Sequence, residues 1–521
     1  MSQDTLHSAS GTPRPAHLRP GQLCVAIQAA TPTELIERAE AAARDSQFLE
    51  FRLDSLAAPA EVLAPLRQFL ARPHGLLAVG TCRRIPGGGS FEGTVAEELA
   101  MLMAAAEAGC GIVDLEIETA AETTPAQLER FRTAIHAAGA ALLISTHDFT
   151  QTRHLAQAAD RIAAFRPEYI KVVSTARSLA DNLEVLKLIR ERSVHTRIVG
   201  IAMGEEGLIS RVLGPREGAS FTFAAPDQGA GTAPGQVTVR TLRELYHIER
   251  INQDTRIFGV AGNPIGHSLS PLMHNAAYRT ENVNAVMFPL KVTALSDLLT
   301  LVSELPMAGV AVTMPLKQEV LPHLAHMDPL VERIGACNTL RATADGKLHG
   351  FNTDVAGVVR PLERRLQLKG ARIAVLGAGG AARAAIFGLV AEGAEVFVVN
   401  RTHETAQKLA AQAGAQALKM AELGHRDFDV LLNTTPCGMK GVEQQLPLAE
   451  NQLNAGLVFD MVYNPLQTPL LKLAASRGLA TIGGMEMFVQ QGARQFEIWT
   501  GKPAPEAEMR RVVEQALRQR G

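Results

Sequence analysis

Eight short runs of strand-forming residues recur through the first half of this 521-residue chain, each separated from the next by an alanine-rich stretch of helical character. The runs are "QLCVAIQ" from Gln22, "FLEFRLD" from Phe48, "LLAVGTC" from Leu76, "GIVDLEIE" from Gly111, "ALLISTHD" from Ala141, "YIKVVSTA" from Tyr169, "RIVGIAMG" from Arg197 and "ASFTFA" from Ala219. Strands alternating with helices pair in parallel through right-handed crossovers, and about eight such units in roughly 225 residues suit a closed (β/α)8 TIM barrel. An open doubly wound sheet is the alternative.

A barrel of this kind gathers its reactive groups at the C-terminal ends of the strands. Glu50, Arg52 and Asp54 alternate along the second run, Arg83 and Arg84 follow the third, and Glu116 and Glu118 lie on the fourth. His147 and Asp148 close the fifth run, and Lys171 lies within the sixth. Each taken alone has a plain structural alternative as an exposed strand end or a helix cap. Lys171 interrupts an apolar strand, and alternation puts it on the face of Tyr169 and Val173. If that face points inward, desolvation and neighbouring arginines would lower its pKa, and a neutral amine could attack a ketone to form a Schiff base. A snorkelling structural lysine is the rival reading. His147, one strand earlier at the same rim, would then take or give the proton, unless it is a cap beside Asp148.

"EFRLD", "STHDF", "YIKVV", "AMGEEGLISR" and "APGQ" occur in that order on the expected strands, and from about Gln22 to Val239 the chain resembles type I 3-dehydroquinate dehydratase. The resemblance implies that Lys171 forms an imine with the C3 ketone of 3-dehydroquinate, acidifying the adjacent C–H, while His147 moves the proton as water is lost. It also implies that Glu50, Arg52, Arg83, Arg211, Thr232 and Gln236 hold the substrate's hydroxyls and carboxylate, with Arg211 as bidentate carboxylate partner. Met203 and Phe221 would supply apolar walls. The chain departs from the family at two positions. Many members carry glutamate four residues after the arginine matched by Arg83, where this chain has Gly87 in "RRIPGGG", and Thr232 stands where serine is frequent. Thr232 keeps a hydroxyl, but Gly87 removes a carboxylate, so substrate positioning is expected to be weakened or altered while the imine chemistry survives.

The bulk numbers bound the partners. Hydrophobic residues make up 46% and charged residues 20%, with a formal net charge of -2, which fits an ordinary globular protein and argues against an electrostatic nucleic-acid footprint. Small-molecule partners are expected, and the oligomeric state is left open. Cys24, Cys82, Cys110, Cys337 and Cys437 are far apart and form no CxxC pair, which suggests neither a disulfide framework nor a zinc site and fits a reducing cytoplasm. No apolar run approaches the roughly 18 residues of a membrane-spanning helix, so no membrane partner is expected. Residues 1–20 lack the basic start and apolar centre of a signal peptide and read as a disordered tail. The barrel is expected over 21–250, closed by a helix from Val239 to about Ile251, with a boundary near Asn252 and no long linker.

In the second half, "ARIAVLG" reads as a strand, the run from Gly377 to Ala382 as a tight turn, and "ARAAIFGLVAEG" as the helix that starts there. Gly377 permits the turn, Gly379 lets backbone approach a pyrophosphate beside Ala378, Gly380 and Ala381, and Ala382 permits close helix packing, with the helix N-terminus supplying positive dipole. The next strand, "EVFVVN", ends in Asn400 and Arg401 where an NAD enzyme usually places Asp or Glu. Arginine there favours a 2'-phosphate and hence NADP; a solvated strand-end arginine is the alternative.

"GNPIGHSLSPLMHN", "GVAVTMPLK", "GACNTL" and "GFNTDVAG" precede this turn, and "NTTPCGM", "DMVYNPLQTPLL" and "MFVQQGARQF" follow it. Together they resemble shikimate dehydrogenase from about Arg256 to Gly521. The implied architecture is a two-lobed α/β unit: a substrate lobe over 251–360 and a Rossmann NADP lobe over 361–521, whose C-terminal helices return to the substrate lobe. The resemblance implies Lys317 and Asp354 as the catalytic pair at the C3 oxygen, Ser268 and Ser270 on the substrate carboxylate, and Thr313, Asn338 and Gln491 on its hydroxyls. Asn400, Arg401 and Thr402 would recognise NADP, with Thr434 and Gly484 beside the cofactor and Tyr463 and Met487 bordering the nicotinamide. His267, His274 and Met485 read as structural, and Ala311 replaces the Asn or Ser frequent in the substrate loop. The two resemblances connect, because dehydration of 3-dehydroquinate yields the ketone that the second half would reduce to shikimate. Rival readings are a quinate dehydrogenase fused to a dehydratase, a non-catalytic metabolite sensor, and an aldolase-type barrel fused to a reductase.

Overall fold

The computed structural model describes residues 23–72, 75–227, 231–233 and 235–520. The N-terminal stretch read as a disordered tail lies outside the described residues, as does Pro234 of "APGQ". The chain forms two compact units, Met1–Thr255 and Arg256–Gly521.

In the first unit β1 (Leu23–Ile27), β2 (Phe48–Arg52), β3 (Leu77–Thr81), β4 (Ile112–Glu116), β5 (Ala141–His147), β6 (Tyr169–Thr175), β7 (Arg197–Met203) and β8 (Thr222–Ala224) make one parallel sheet in the order β7-β6-β5-β4-β3-β2-β1-β8. The Ser220 amide donates to the Ile198 carbonyl at 2.8 Å, so the two ends of the sheet meet and the barrel is nearly closed. The crossover helices begin where the chain supplies their missing acceptors: Thr94 with Glu97 and Thr124 with Gln127 form reciprocal caps on the helices Val95–Glu107 and Pro125–Ala137. The strands point every second side chain inward. Phe48, Tyr169, Phe221, Ile112 and Leu143 fill one apolar part of the interior, and one step further along the same strands come Glu50, Lys171, Asp114 and Ser145.

Two elements of this unit stop sooner than their pattern suggests. Glu118 is exposed on the short helix Ile117–Glu122 rather than on β4. The expected closing helix over 239–251 stops at Glu244, because His247 takes a left-handed φ of 49° before a separate single turn at Ile248–Arg250.

In the second unit β9 (Arg256–Gly262), β10 (Ala285–Lys291), β11 (Met307–Val312), β12 (His326–Met327), β13 (Thr339–Ala342) and β14 (Leu348–Phe351) form a mixed sheet ordered β10-β9-β11-β13-β14-β12. A second, parallel sheet ordered β17-β16-β15-β18-β19-β20 is built from β15 (Arg372–Leu376), β16 (Glu395–Val399), β17 (Gln416–Leu418), β18 (Phe428–Asn433), β19 (Ala455–Asp460) and β20 (Ala480–Ile482). The chain then returns to the first of these sheets. The helix Gly484–Thr500 packs on the helix Asp354–Glu363, and Trp499 joins Phe258 and Tyr278 in the apolar core while its Nε1 donates to the Leu340 carbonyl.

Candidate active sites

The barrel mouth holds a cavity lined by Glu50, Arg52, Arg83, His147, Lys171, Met203, Arg211, Thr232 and Gln236, together with Gly87, Gly88, Phe149 and Phe223. Lys171 is buried; its Nζ donates to Asp114 Oδ2 at 2.9 Å, lies 3.7 Å from Glu50 Oε1 and stands 4.1 Å above the Phe223 ring. The charges that touch it are therefore carboxylates, not the arginines expected from the sequence. Asp114 also accepts from Arg83 Nη2 at 2.8 Å and Ser145 Oγ at 2.6 Å. Burial works against its ionised form, but Lys171, Arg83 and these hydrogen bonds outweigh burial and hold the carboxyl well below the usual range.

Arg83 Nη1 donates to Nδ1 of His147 at 2.9 Å. An arginine can only donate, so Nδ1 is the acceptor and the neutral ring carries its proton on Nε2. Desolvation, reinforced by the cations Arg83 and Lys171, holds the His147 pKa well below its ordinary value. Arg52 is engaged by Asp54 through Nε and Nη2 at 2.9 and 2.8 Å. Arg211 is buried, donates one Nη to the Phe223 carbonyl at 2.8 Å, and has its pKa lowered to about 10 by burial. The Thr232 amide donates to Gln236 Oε1 at 2.7 Å, tying the two loop residues together.

Phe221 does not reach this cavity. It is fully buried and packs against Phe48, with ring centroids 4.9 Å apart, in the deeper part of the barrel. The apolar wall at Lys171 is Phe223, two residues along the same inward face.

The cleft of the second unit has a volume of about 350 Å³ and is lined by Ser268, Ser270, Thr313, Lys317, Asn338, Asp354, Tyr463, Met487 and Gln491, with His267, Ala311, Phe488 and Gln495 among its other walls. Lys317 Nζ donates to Asp354 Oδ2 at 2.5 Å. Asn338 Nδ2 donates to the other carboxylate oxygen at 2.8 Å, while its own oxygen accepts from the Thr353 amide and Thr339 Oγ1, both at 2.8 Å. Those two contacts fix which end of the amide faces Asp354. His274 is buried outside the cleft lining; its Nε2 faces Gln495 Oε1 at 3.2 Å, and its pKa falls to about 4, mainly through burial.

Gly377 ends β15 with φ of 113°, a conformation that favours glycine, and a Cβ there would sit 2.5 Å from Thr434 Oγ1. Thr434 Oγ1 in turn donates to the Leu376 carbonyl at 2.7 Å. The α-carbons of Gly379 and Gly380 face open space at the start of the twelve-residue helix Gly380–Ala391. Ala378 and Ala381 flank these two glycines in the same turn. Open backbone with free N–H groups at a helix N-terminus fits a pyrophosphate. Arg401 is exposed after β16, and Asn400 Nδ2 donates to the Thr402 carbonyl at 3.0 Å, folding the turn that carries it. Gly484 differs from the other glycines of this group: it is buried, and a Cβ on it would meet the Met461 carbonyl at 2.4 Å, so its role in the structure is close packing of the helix Gly484–Thr500.

Family models match both units: type I 3-dehydroquinase over residues 23–253, the shikimate dehydrogenase substrate binding domain over 260–340, shikimate / quinate 5-dehydrogenase over 361–444 and the shikimate 5'-dehydrogenase C-terminal domain over 484–514. A bifunctional 3-dehydroquinate dehydratase/shikimate dehydrogenase of Arabidopsis thaliana is 34% identical over 93% of this chain and 83% of its own length. The chain belongs to this bifunctional family. A shikimate dehydrogenase (NADP(+)) of Methanosarcina acetivorans is 42% identical over 50% of this chain and 99% of its own. A crystal structure of shikimate 5-dehydrogenase from Thermus thermophilus in complex with NADP(H) and shikimate aligns with a TM-score of 0.47 at 36% identity, covering 50% of this chain and all of that one.

Sequence reasoning missed Asp114 in the dehydratase unit, although it shares the inward face of Ile112 and Glu116. Alternation alone marks that face, and the parallel register, which pairs Ser145 with Lys171 and Asp114 with Leu143, decides which residue meets the amine. In the dehydrogenase unit Thr339 and Thr353 were missed for a similar reason, since only the folded sheet brings them to the Asn338 amide.

Proposed function

We propose that this bifunctional enzyme performs its two consecutive reactions with Lys171 and His147 in the barrel and Lys317 and Asp354 in the cleft. The observation that supports this most directly is that each cavity contains one lysine held against an aspartate, Lys171 by Asp114 and Lys317 by Asp354.

In the barrel, the Lys171 amine adds to the C3 carbonyl of 3-dehydroquinate and expels water to leave an imine. The imine withdraws electrons from the adjacent carbon; His147 at the rim takes the proton this carbon loses and returns it to the neighbouring hydroxyl, which leaves as water. Hydrolysis of the imine releases 3-dehydroshikimate and restores the amine. Asp114 aims the amine before attack, and Phe223 and Met203 close its apolar side. Arg211, a buried cation, supports binding of the substrate carboxylate, with Glu50, Arg52, Arg83, Thr232 and Gln236 at the hydroxyls.

In the cleft, NADPH supplies the hydride that reduces the ketone. Lys317 supplies a proton at the carbonyl oxygen as the hydride adds, and Asp354 orients the lysine through its hydrogen bond. Ser268 and Ser270 suit the carboxylate, Thr313, Asn338 and Gln491 the hydroxyls, and Tyr463 and Met487 the edge of the nicotinamide. Gly377, Ala378, Gly379, Gly380 and Ala381 suit the pyrophosphate, with Arg401, Asn400 and Thr402 at the 2'-phosphate end. No helix of the described residues is long and apolar enough to cross a membrane, and the five cysteines are free and buried, which supports work in the reducing cytoplasm.

A coupled assay tests the assignment: 3-dehydroquinate plus NADPH, with cofactor oxidation and shikimate followed together. Both Lys171→Ala and Lys317→Ala should abolish oxidation, and added 3-dehydroshikimate should rescue only Lys171→Ala. Oxidation that survives in Lys171→Ala without added 3-dehydroshikimate would remove Lys171 from the first step.

A further inference from the structure

The loop after β3 closes over the barrel mouth against the end of β4, and one carboxylate fills the junction. Glu116 is buried, its Oε2 accepts from the Arg84 amide at 2.9 Å, and its Oε1 lies 3.4 Å from Arg83 Nη1. The same carboxylate occupies the space above Gly87. A Cβ on residue 87 would stand 1.5 Å from Oε1 and 2.5 Å from Cδ. The backbone at 87 is not left-handed, so what a side chain there would meet is the carboxylate and not a φ restriction. A Cβ at residue 87 would therefore have to displace the Glu116 carboxylate.

Arg83 transmits this anchoring. Its Nη2 is held by Asp114, and the Nη1 that faces Glu116 also reaches Ser145 Oγ at 3.3 Å and donates to His147 Nδ1. A guanidinium is planar, so fixing its outer edge fixes the direction of the N–H that meets the histidine. We propose that Glu116 is a positioning residue for the dehydration step, setting the orientation and tautomer of His147 through Arg83, and that Gly87 makes room for it. The inference rests on the assignment of His147 as the proton-transfer group.

The charged groups around this relay come from several elements. His147 is faced by Arg83, Lys171, Asp114 and Arg52, and Glu116 is faced by Arg83, Asp114, Glu118 and Glu98, the last from the helix Val95–Glu107. Burial pushes the Glu116 pKa up, and the Arg83 charge and the Arg84 amide oppose it.

The test uses the full chain with 3-dehydroquinate and compares Glu116→Gln with Gly87→Ala. Loss of the charge in Glu116→Gln should lower kcat about tenfold with KM within about twofold, the pattern of a mispositioned acid/base group. Gly87→Ala should also lower kcat, because its Cβ pushes the Glu116 carboxylate away from Arg83. Wild-type kcat in Glu116→Gln, or an effect on KM alone, would overturn the inference. His147→Ala separates the underlying assignment: if it keeps full activity, that assignment and the inference both fail, and if it is inactive while Glu116→Gln is unimpaired, only the inference fails.

Discussion

The Arg83 guanidinium donates to Nδ1 of His147 at 2.9 Å, which leaves the imidazole neutral with its remaining N–H on Nε2. A neutral ring can take up a proton from the substrate and pass it on, the role proposed for His147, and it imposes a pH signature. Because desolvation with Arg83 and Lys171 holds the His147 pKa well below 6.5, the ring stays neutral through the range in which an ordinary histidine titrates. Dehydratase kcat should show no histidine limb near pH 6.5, and a kcat-against-pH profile that breaks there would contradict this protonation state.

The two phenylalanines of the last barrel strand region should separate stability from catalysis. Phe221 is packed among Phe48 and Tyr169, whereas Phe223 lies under the Lys171 ammonium. Phe221→Ala should destabilise the barrel by about 3–5 kcal/mol. Phe223→Leu, which keeps most of the volume but removes the ring face, should lower kcat/KM for 3-dehydroquinate by about threefold to tenfold. Denaturant midpoints and dehydratase kinetics on both variants check the division; equal kinetic losses at matched stability would refute it.

Glu98 gives a stability prediction with a definite sign. It is buried, accepts from Thr119 Oγ1, leaves its Oε1 without a partner, and burial raises its pKa to about 7. Between the ordinary 4.5 and this value the folded chain holds a proton that the unfolded chain has released. The stability it confers is therefore full below about pH 4.5 and lost as pH rises through about 7. Glu98→Gln should be close to neutral at pH 5 and should stabilise the first unit by about 1–3 kcal/mol at pH 8. Midpoints for loss of dehydratase activity at the two pH values measure it, and a larger gain at pH 5 would reverse the argument.

Arg401 supplies the test of cofactor selection. It is exposed at the end of β16 on the turn folded by Asn400. A guanidinium on a 2'-phosphate makes charged hydrogen bonds that a ribose hydroxyl cannot replace, so Arg401→Ala should raise KM for NADPH about tenfold to a hundredfold and leave KM for NADH nearly unchanged. Parallel increases for both cofactors would place the arginine elsewhere in the mechanism.

Much of both candidate sites was legible because the proposed reacting groups sit where local pattern is strongest. Lys171 breaks an apolar strand, and the turn from Gly377 lies between a strand and a helix that each have clear periodicity. The less legible residues share one property: their role depends on depth in the barrel or on a partner from another strand. Phe221 and Phe223 have the same local pattern, yet one is core and the other faces Lys171. Gly87 reads as a missing carboxylate until Glu116, 29 positions later in the sequence, is seen to occupy its space.

The sequence by itself determined the eight strand-helix repeats and the nucleotide turn and singled out Lys171 and His147, because hydrophobic period, turn chemistry and unusual polar residues are properties of short segments, whereas Lys317 and Asp354 came from motifs shared with shikimate dehydrogenase. Only the tertiary structure decided that Asp114 meets Lys171, that Arg83 meets His147, and that the Glu116 carboxylate lies in the space a Cβ at Gly87 would enter. Those relationships are set by the register between parallel strands and by the tilt that closes the barrel, and neither is encoded in the residues of one strand alone.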